Sequence, residues 1–141
     1  MSRIAKLKLE IKDYSTKDQA INEFVGEVVS IDESLKTNLY RFFETDMGTI
    51  LVSIDYHNEQ VVIQENSETI RLSMVLKDSC FEKCVYHFDE NNYLELKTKA
   101  FEIVIDESYV RLDYDLYNPS DLDHPMTRNV IEITCEGNKV C

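Results

Sequence analysis

Apolar residues recur at a spacing of two along almost the whole chain, and that period limits what it can fold into. Ala5, Leu7, Leu9 and Ile11 alternate with Lys6, Lys8, Glu10 and Lys12. Ile50, Val52, Ile54 and Tyr56 share one parity, as do Ile70, Leu72, Met74 and Leu76. Successive side chains of a strand point to opposite faces, so this period describes sheet with one dry and one wet face. A helix would need apolar residues three and four apart, and such runs are nearly absent.

Turn-forming clusters cut the pattern into pieces. "DESLKTN", "HNEQ" and "DENN" each separate two alternating runs, and "NPSDLDHP" holds both prolines. "STKDQA" is read as a single helical turn, with Ser15 as its cap and Asp18 three residues on. Gly48 marks a turn after "TDM". Gly26 lies inside "INEFVGEVVSI", where a mid-strand glycine points to a bend or bulge. "YLELKTKAFEIVID" changes parity, with Leu94 and Leu96 even but Phe101, Ile103 and Ile105 odd; a β-bulge near Thr98–Ala100 repairs this. The chain of 141 residues thus reads as nine or ten short strands in one domain, residues 1–141. Short turns favour antiparallel neighbours, and closure removes the edges an open sheet of this width would expose. The predicted fold is all-β, an antiparallel up-and-down β-barrel of about eight to ten strands with little helix.

Charge and sulfur narrow the function. Fifteen basic residues stand against 27 acidic ones, a formal charge of −12. Such a surface repels phosphates and anionic lipid, which argues against nucleic-acid and membrane-surface binding. It serves solubility, or it meets a basic protein partner. No apolar run reaches the length of a membrane-spanning helix, and "MSRIAKLKLEIKDY" lacks the apolar centre of a signal peptide, so a cytoplasmic location is expected. Cys80, Cys84, Cys135 and Cys141 are then expected to be reduced thiols. The Cys80/Cys84 spacing occurs in zinc sites, but no glycine-rich knuckle surrounds either pair, and no metal or other cofactor is predicted.

Catalytic constellations are equally thin. Three scattered glycines cannot build a phosphate loop. His57 and His124 fall in turns. Cys84 and His87 are three apart on a strand and point to opposite faces, which spoils them as a nucleophile and base. "DLDH" at 121–124 lacks the glycine and terminal glutamate of a calcium loop. No catalytic residue is assigned.

"YVRLDYDLYN" poses the central question. Val110, Leu112, Tyr114 and Leu116 form its dry row and should face the barrel interior; Arg111, Asp113 and Asp115 should face water. The acid pair Asp113/Asp115 suits acid–base work or a solvated, salt-bridged outer face, and the second is preferred. Tyr56, Tyr86 and Tyr114 each interrupt an otherwise apolar row. A buried tyrosine needs a partner for its hydroxyl, so these three are the candidate ligand-binding residues. In a filled barrel the partner is protein, Met74, Leu76, Phe88 and Leu116 help fill the space, and Tyr114→Phe should cost about 1 kcal/mol or more. In a hollow one it is ligand or water.

With these strands laid out, the chain resembles the YwiB-like proteins of low-GC Gram-positive bacteria. The resemblance runs from about Leu7 to Glu136 and rests on "EFVGEVV", "LYRFFETDMGTILVSI", "CVYHFDENNYLELKTKAFEIVID" and "YVRLDYDLY". Members usually carry an Arg-x-Gly turn where this chain reads "QENSE", with Ser67 near the glycine position, and a Pro-x-Gly turn where it reads "DENN". The resemblance implies a small calycin- or lipocalin-like barrel and no particular activity. Two functions follow as expectations: binding of a small hydrophobic or amphipathic molecule inside the barrel, or protein interaction through the acidic surface and "LYRFFE", where Tyr40 and Phe42 face opposite to Phe43. An enzyme ranks third, and the oligomeric state is left open.

Overall fold

The computed structural model describes residues 3–44, 48–68, 71–106 and 108–135. Ile70, Cys141 and the "TDM" segment therefore lie outside the described residues. Ten strands follow one another: β1 (Arg3–Asp13), β2 (Gln19–Asp32), β3 (Thr37–Phe43), β4 (Thr49–Asp55), β5 (Gln60–Asn66), β6 (Arg71–Lys77), β7 (Phe81–His87), β8 (Tyr93–Ile105), β9 (Tyr109–Tyr117) and β10 (Thr127–Cys135). Each pairs antiparallel with its chain neighbours, and β1 also pairs with β10, from Ala5 opposite Cys135 to Asp13 opposite Thr127. The result is a closed up-and-down barrel, as the period and turn spacing predict.

The turns share a local device. Asp13 Oδ1 accepts from the Ser15 and Thr16 amides, Asp32 Oδ1 from those of Ser34 and Leu35, and Asp89 Oδ1 from those of Asn91 and Asn92. Asp55 receives Asn58, and Asn118 receives Ser120. These side chains mimic a backbone turn and satisfy amides that the ladder leaves free. Asp13 is one of them, so "STKDQA" folds as a side-chain-capped hairpin turn closed by Lys17 at φ 68°, in place of the expected helical turn.

Two bulges set the curvature. The ladder between β8 and β9 shifts between Ala100 and Glu102, which leaves Phe101 as the extra residue and moves the inward row from even to odd. This is the break predicted from the parity change. A second shift, between Val28 and Ser30, leaves Val29 as the extra residue three positions after Gly26, in the strand where the glycine points to a bend or bulge. Gly26 itself sits opposite Phe42 and Ala5, and a Cβ there would stand 1.9 Å from the Arg41 carbonyl oxygen. The inward rows make one cluster, with Tyr40, Phe42, Ile54, Leu76, Leu112 and Ile133 among its largest fully buried members. Met74 and Leu116 also lie inside, but Phe88, expected as filler, is exposed just past the end of β7.

Candidate functional site

The two ends of the barrel differ. At the end formed by the N-termini of β1, β3, β5 and β9 and the C-termini of β4, β6 and β10, Ala5, Ile54, Val61, Leu76, Val110 and Ile133 are 0–1% exposed. At the other end, Ile50, Leu72, Leu96 and Leu116 are 7–9% exposed, Leu9, Phe24 and Tyr86 are only partly buried, and Leu94 is open to solvent. One end is packed and the other is a mouth.

The mouth carries polar groups in an apolar row. Directly opposed residues of neighbouring strands share a face. Glu65 lies opposite Ile50 and Leu72, Leu72 opposite Tyr86, and Leu9 opposite Asn22. Glu65 and Asn22 therefore belong to the interior rows. An open recess of about 830 Å³ lies here, walled by Leu9, Asn22, Phe24 and Glu65 and rimmed by Glu23, Val25, Phe43 and Glu44.

Tyr86 and Tyr114 sit beneath the mouth. Tyr114 projects from β9, nearly across the barrel from β5, and is 3% exposed. Neither hydroxyl has a hydrogen-bond partner among the described residues. Burial, reinforced by Cys84 and Glu65, pushes the Tyr86 phenol up to about 12. The Tyr114 phenol is raised further by burial, then by Cys84, Tyr86 and Glu65. Both are neutral donors at physiological pH, placed within Coulombic reach of one carboxylate. Asn129, opposite Tyr114 on β10, is also buried and donates to Thr127 Oγ1 at 3.0 Å.

The three candidate tyrosines do not converge. Tyr56 lies at the packed end, where the Asn38 amide donates to the Tyr40 hydroxyl at 3.1 Å and contacts the Tyr56 hydroxyl. Tyr56 thus joins a protein cluster, whereas Tyr86 and Tyr114 stay together at the mouth. Sequence reasoning missed Glu65, read only as the end of "VVIQE". Its signal was available: Val61, Ile63 and Glu65 share a parity, and an acid in an apolar row marks a mouth or a site.

The acid pair requires a correction. Asp113 and Asp115 point outward from the sheet, as their parity demands, but neither faces water: they are 6% and 2% exposed. Arg128 covers Asp113 with two bonds, Nε to Oδ1 at 3.0 Å and Nη2 to Oδ2 at 2.6 Å. The hydroxyl of Tyr14, in the β1–β2 turn, donates to Asp115 Oδ1 at 2.8 Å. The turn is held down by a bond from the Tyr14 amide to the Met126 carbonyl. A period of two fixes the face of a residue, not what a neighbouring turn lays over it. Burial raises the Asp115 carboxyl, with Asp113 adding to that and Tyr14 opposing it. The two acids have separate partners and share no cleft.

Other candidates disperse. A second recess of about 250 Å³ crosses the outer wall from β2 to β9, lined by Glu10, Lys12, Arg111, Arg128 and Glu132 among others. Most of its charges are paired, Glu10 with Lys8, Arg111 with Glu102 and Glu132 with Tyr109. Cys84 is buried, its thiol pushed up to about 12, while His87 is exposed, so they do face apart. Cys80 is exposed and shares no site with Cys84. His57 lies in an exposed turn and His124 bonds Asp121 at 3.0 Å. Among the described residues no three metal-ligating side chains cluster.

Fold and site together define a small, closed, ten-stranded antiparallel β-barrel with one packed end and one open, polar-edged mouth. The chain is similar in structure to the ywiB protein from Bacillus subtilis, known from its crystal structure. The TM-score is 0.64 over 96% of this chain and 92% of that one, at 16% sequence identity. At that identity the likeness shows the fold alone. No protein-family profile and no curated protein matches the sequence.

Proposed function

We propose that the protein binds a small amphipathic molecule at the open mouth of the barrel. The observation that carries this is the Tyr114 side chain, 3% exposed and facing the barrel interior, whose hydroxyl makes no hydrogen bond among the described residues and lies within electrostatic reach of Tyr86 and of Glu65 at the recess. A hydroxyl inside the barrel that no described side chain or carbonyl engages is available to a ligand or a water that supplies the bond. The recess adds apolar wall from Leu9 and Phe24. Calycin-type barrels often hold such ligands, a support by analogy of fold only. Cys80 and Cys84 are free thiols, in keeping with a reducing, cytoplasmic setting.

Native mass spectrometry of the protein, purified without detergent, tests the reading. An added mass of a few hundred daltons, lost on denaturation and reduced in occupancy by Tyr114→Phe, is the expected result. A bare chain, with no thermal shift from any member of an amphiphile panel, would sink it.

A second reading is protein interaction. Val25 and Phe43 oppose one another on the outer wall beside the mouth and are both about half exposed, while Tyr40 and Phe42 turn inward. Loss of a captured partner on Phe43→Ser would favour it.

A further inference from the structure

Glu65 is the residue that joins the recess to the tyrosines. It lines the recess, lies in the inward row between Ile50 and Leu72, and has no cationic partner among the described residues. The other acids at the recess are Glu23 and Glu44, and among the described residues no lysine or arginine lines it. An anionic headgroup entering here would meet the Glu65 carboxylate, with Glu23 beside it, and no described cation. A neutral headgroup would leave Glu65 facing apolar neighbours without an ion pair. Phe24 and Phe43 add aromatic surface to the recess, a surface type that tolerates a cation. The long-range field agrees, since a chain of formal charge −12 attracts cations and repels anions.

We propose that the mouth selects an amphipathic cation: an ammonium group seated against Glu65, with an apolar body lying along Leu9 and Phe24 toward the Tyr114 hydroxyl. This rests on the binding function proposed above and specifies its ligand class. The ammonium supplies three donors, of which Glu65 accepts at least one. The Tyr86 and Tyr114 hydroxyls, whose oxygens are free to accept, take others directly or through water.

Three probes of equal chain length decide the matter: octylamine, 1-octanol and octanoate, titrated into the full chain at neutral pH and followed by calorimetry and by NMR. Octylammonium should bind about tenfold or more tightly than octanol, as a charge-assisted bond replaces a neutral one, and octanoate should bind most weakly. Glu65→Gln should abolish the preference while octanol binding persists. Glu90→Gln, at an exposed acid in the β7–β8 turn, should leave it unchanged. In the unsubstituted protein, octylammonium should shift the Tyr86 and Tyr114 ring signals, a readout independent of any variant. Octanol or octanoate binding as tightly as octylammonium would overturn cation selection and leave the binding reading standing. An ammonium preference that survives Glu65→Gln, or shifts confined to surface acids, would overturn the assignment to this site. Failure of all three probes to bind would overturn both.

Discussion

Tyr114 brings a hydroxyl into the barrel where no described group receives it. A filled barrel with a partnered Tyr114 would lose about 1 kcal/mol on Tyr114→Phe. With no protein partner, the same change should be neutral or stabilising by up to about 1 kcal/mol in ligand-free protein. Urea unfolding measures it, and a clear destabilisation would reveal a hydrogen bond that the geometry lacks. Leu112→Ala, two residues away at a fully buried position, should by contrast cost about 2–5 kcal/mol through the void it leaves. Arg128→Ala should cost about 1–2 kcal/mol in the same assay: it strips both close bonds from Asp113, and Arg111, at 3.8 Å, compensates only in part. The inward row of β9 was legible because parity decides faces. The cover over Asp113 and Asp115 was not, because Tyr14 is 101 residues from its partner and nothing local links them.

At the scale of elements, strand number, pairing sense and the β8 bulge were readable from period and turn chemistry. Gly26 signals a bend or bulge in β2, but the position at Val28/Ser30 was not readable, because Val29 and Ile31 sit toward the barrel's edge with more exposure, where either parity looks plausible. At Gly26 itself the stricter reason for glycine is the close approach of the β3 backbone. Gly26→Ala should therefore force β2 away from β3 and cost about 3 kcal/mol, far outside the usual effect of adding one methyl to a strand. Wild-type thermal stability in that variant would mean the two strands can separate freely. The β4–β5 turn offers the opposite change. Glu59 holds φ at 52°, a left-handed conformation that disfavours side chains, so Glu59→Gly should stabilise by about 0.5–1 kcal/mol after the entropy of the freer unfolded chain is counted.

For the whole molecule, the carboxylates act in two opposed groups, and their balance sets the pH of greatest stability. Asp13, Asp32, Asp55 and Asp89 have their carboxyl pKa values lowered by the side-chain and backbone bonds they accept in the turns. A lowered folded-state pKa contributes stability that is present above the unfolded value of 3.8 and is lost as pH falls through the folded one. Asp115 has the reverse sign. Its carboxyl is raised by burial, so its charge opposes folding at neutral pH, and that opposition is relieved as pH falls through its folded pKa toward 3.8. Partial discharge of the formal −12 relieves self-repulsion in the same direction. The exposed His124, raised by Asp121, adds a small contribution below its unfolded value of 6.5 that is lost as pH rises through the folded one. All these effects favour folding on moving from neutral to mildly acidic solution, and the turn aspartates oppose it only below their unfolded value. Thermal midpoints at constant ionic strength should therefore rise from pH 8 to a maximum near about pH 5 and fall steeply below about pH 4. Asp115→Asn should flatten the rise and leave the acid limb in place, since the amide oxygen still accepts from Tyr14 and carries no charge to bury. A midpoint that declines steadily from neutrality downward would show that Asp115 and the net charge are too weakly coupled to folding to matter.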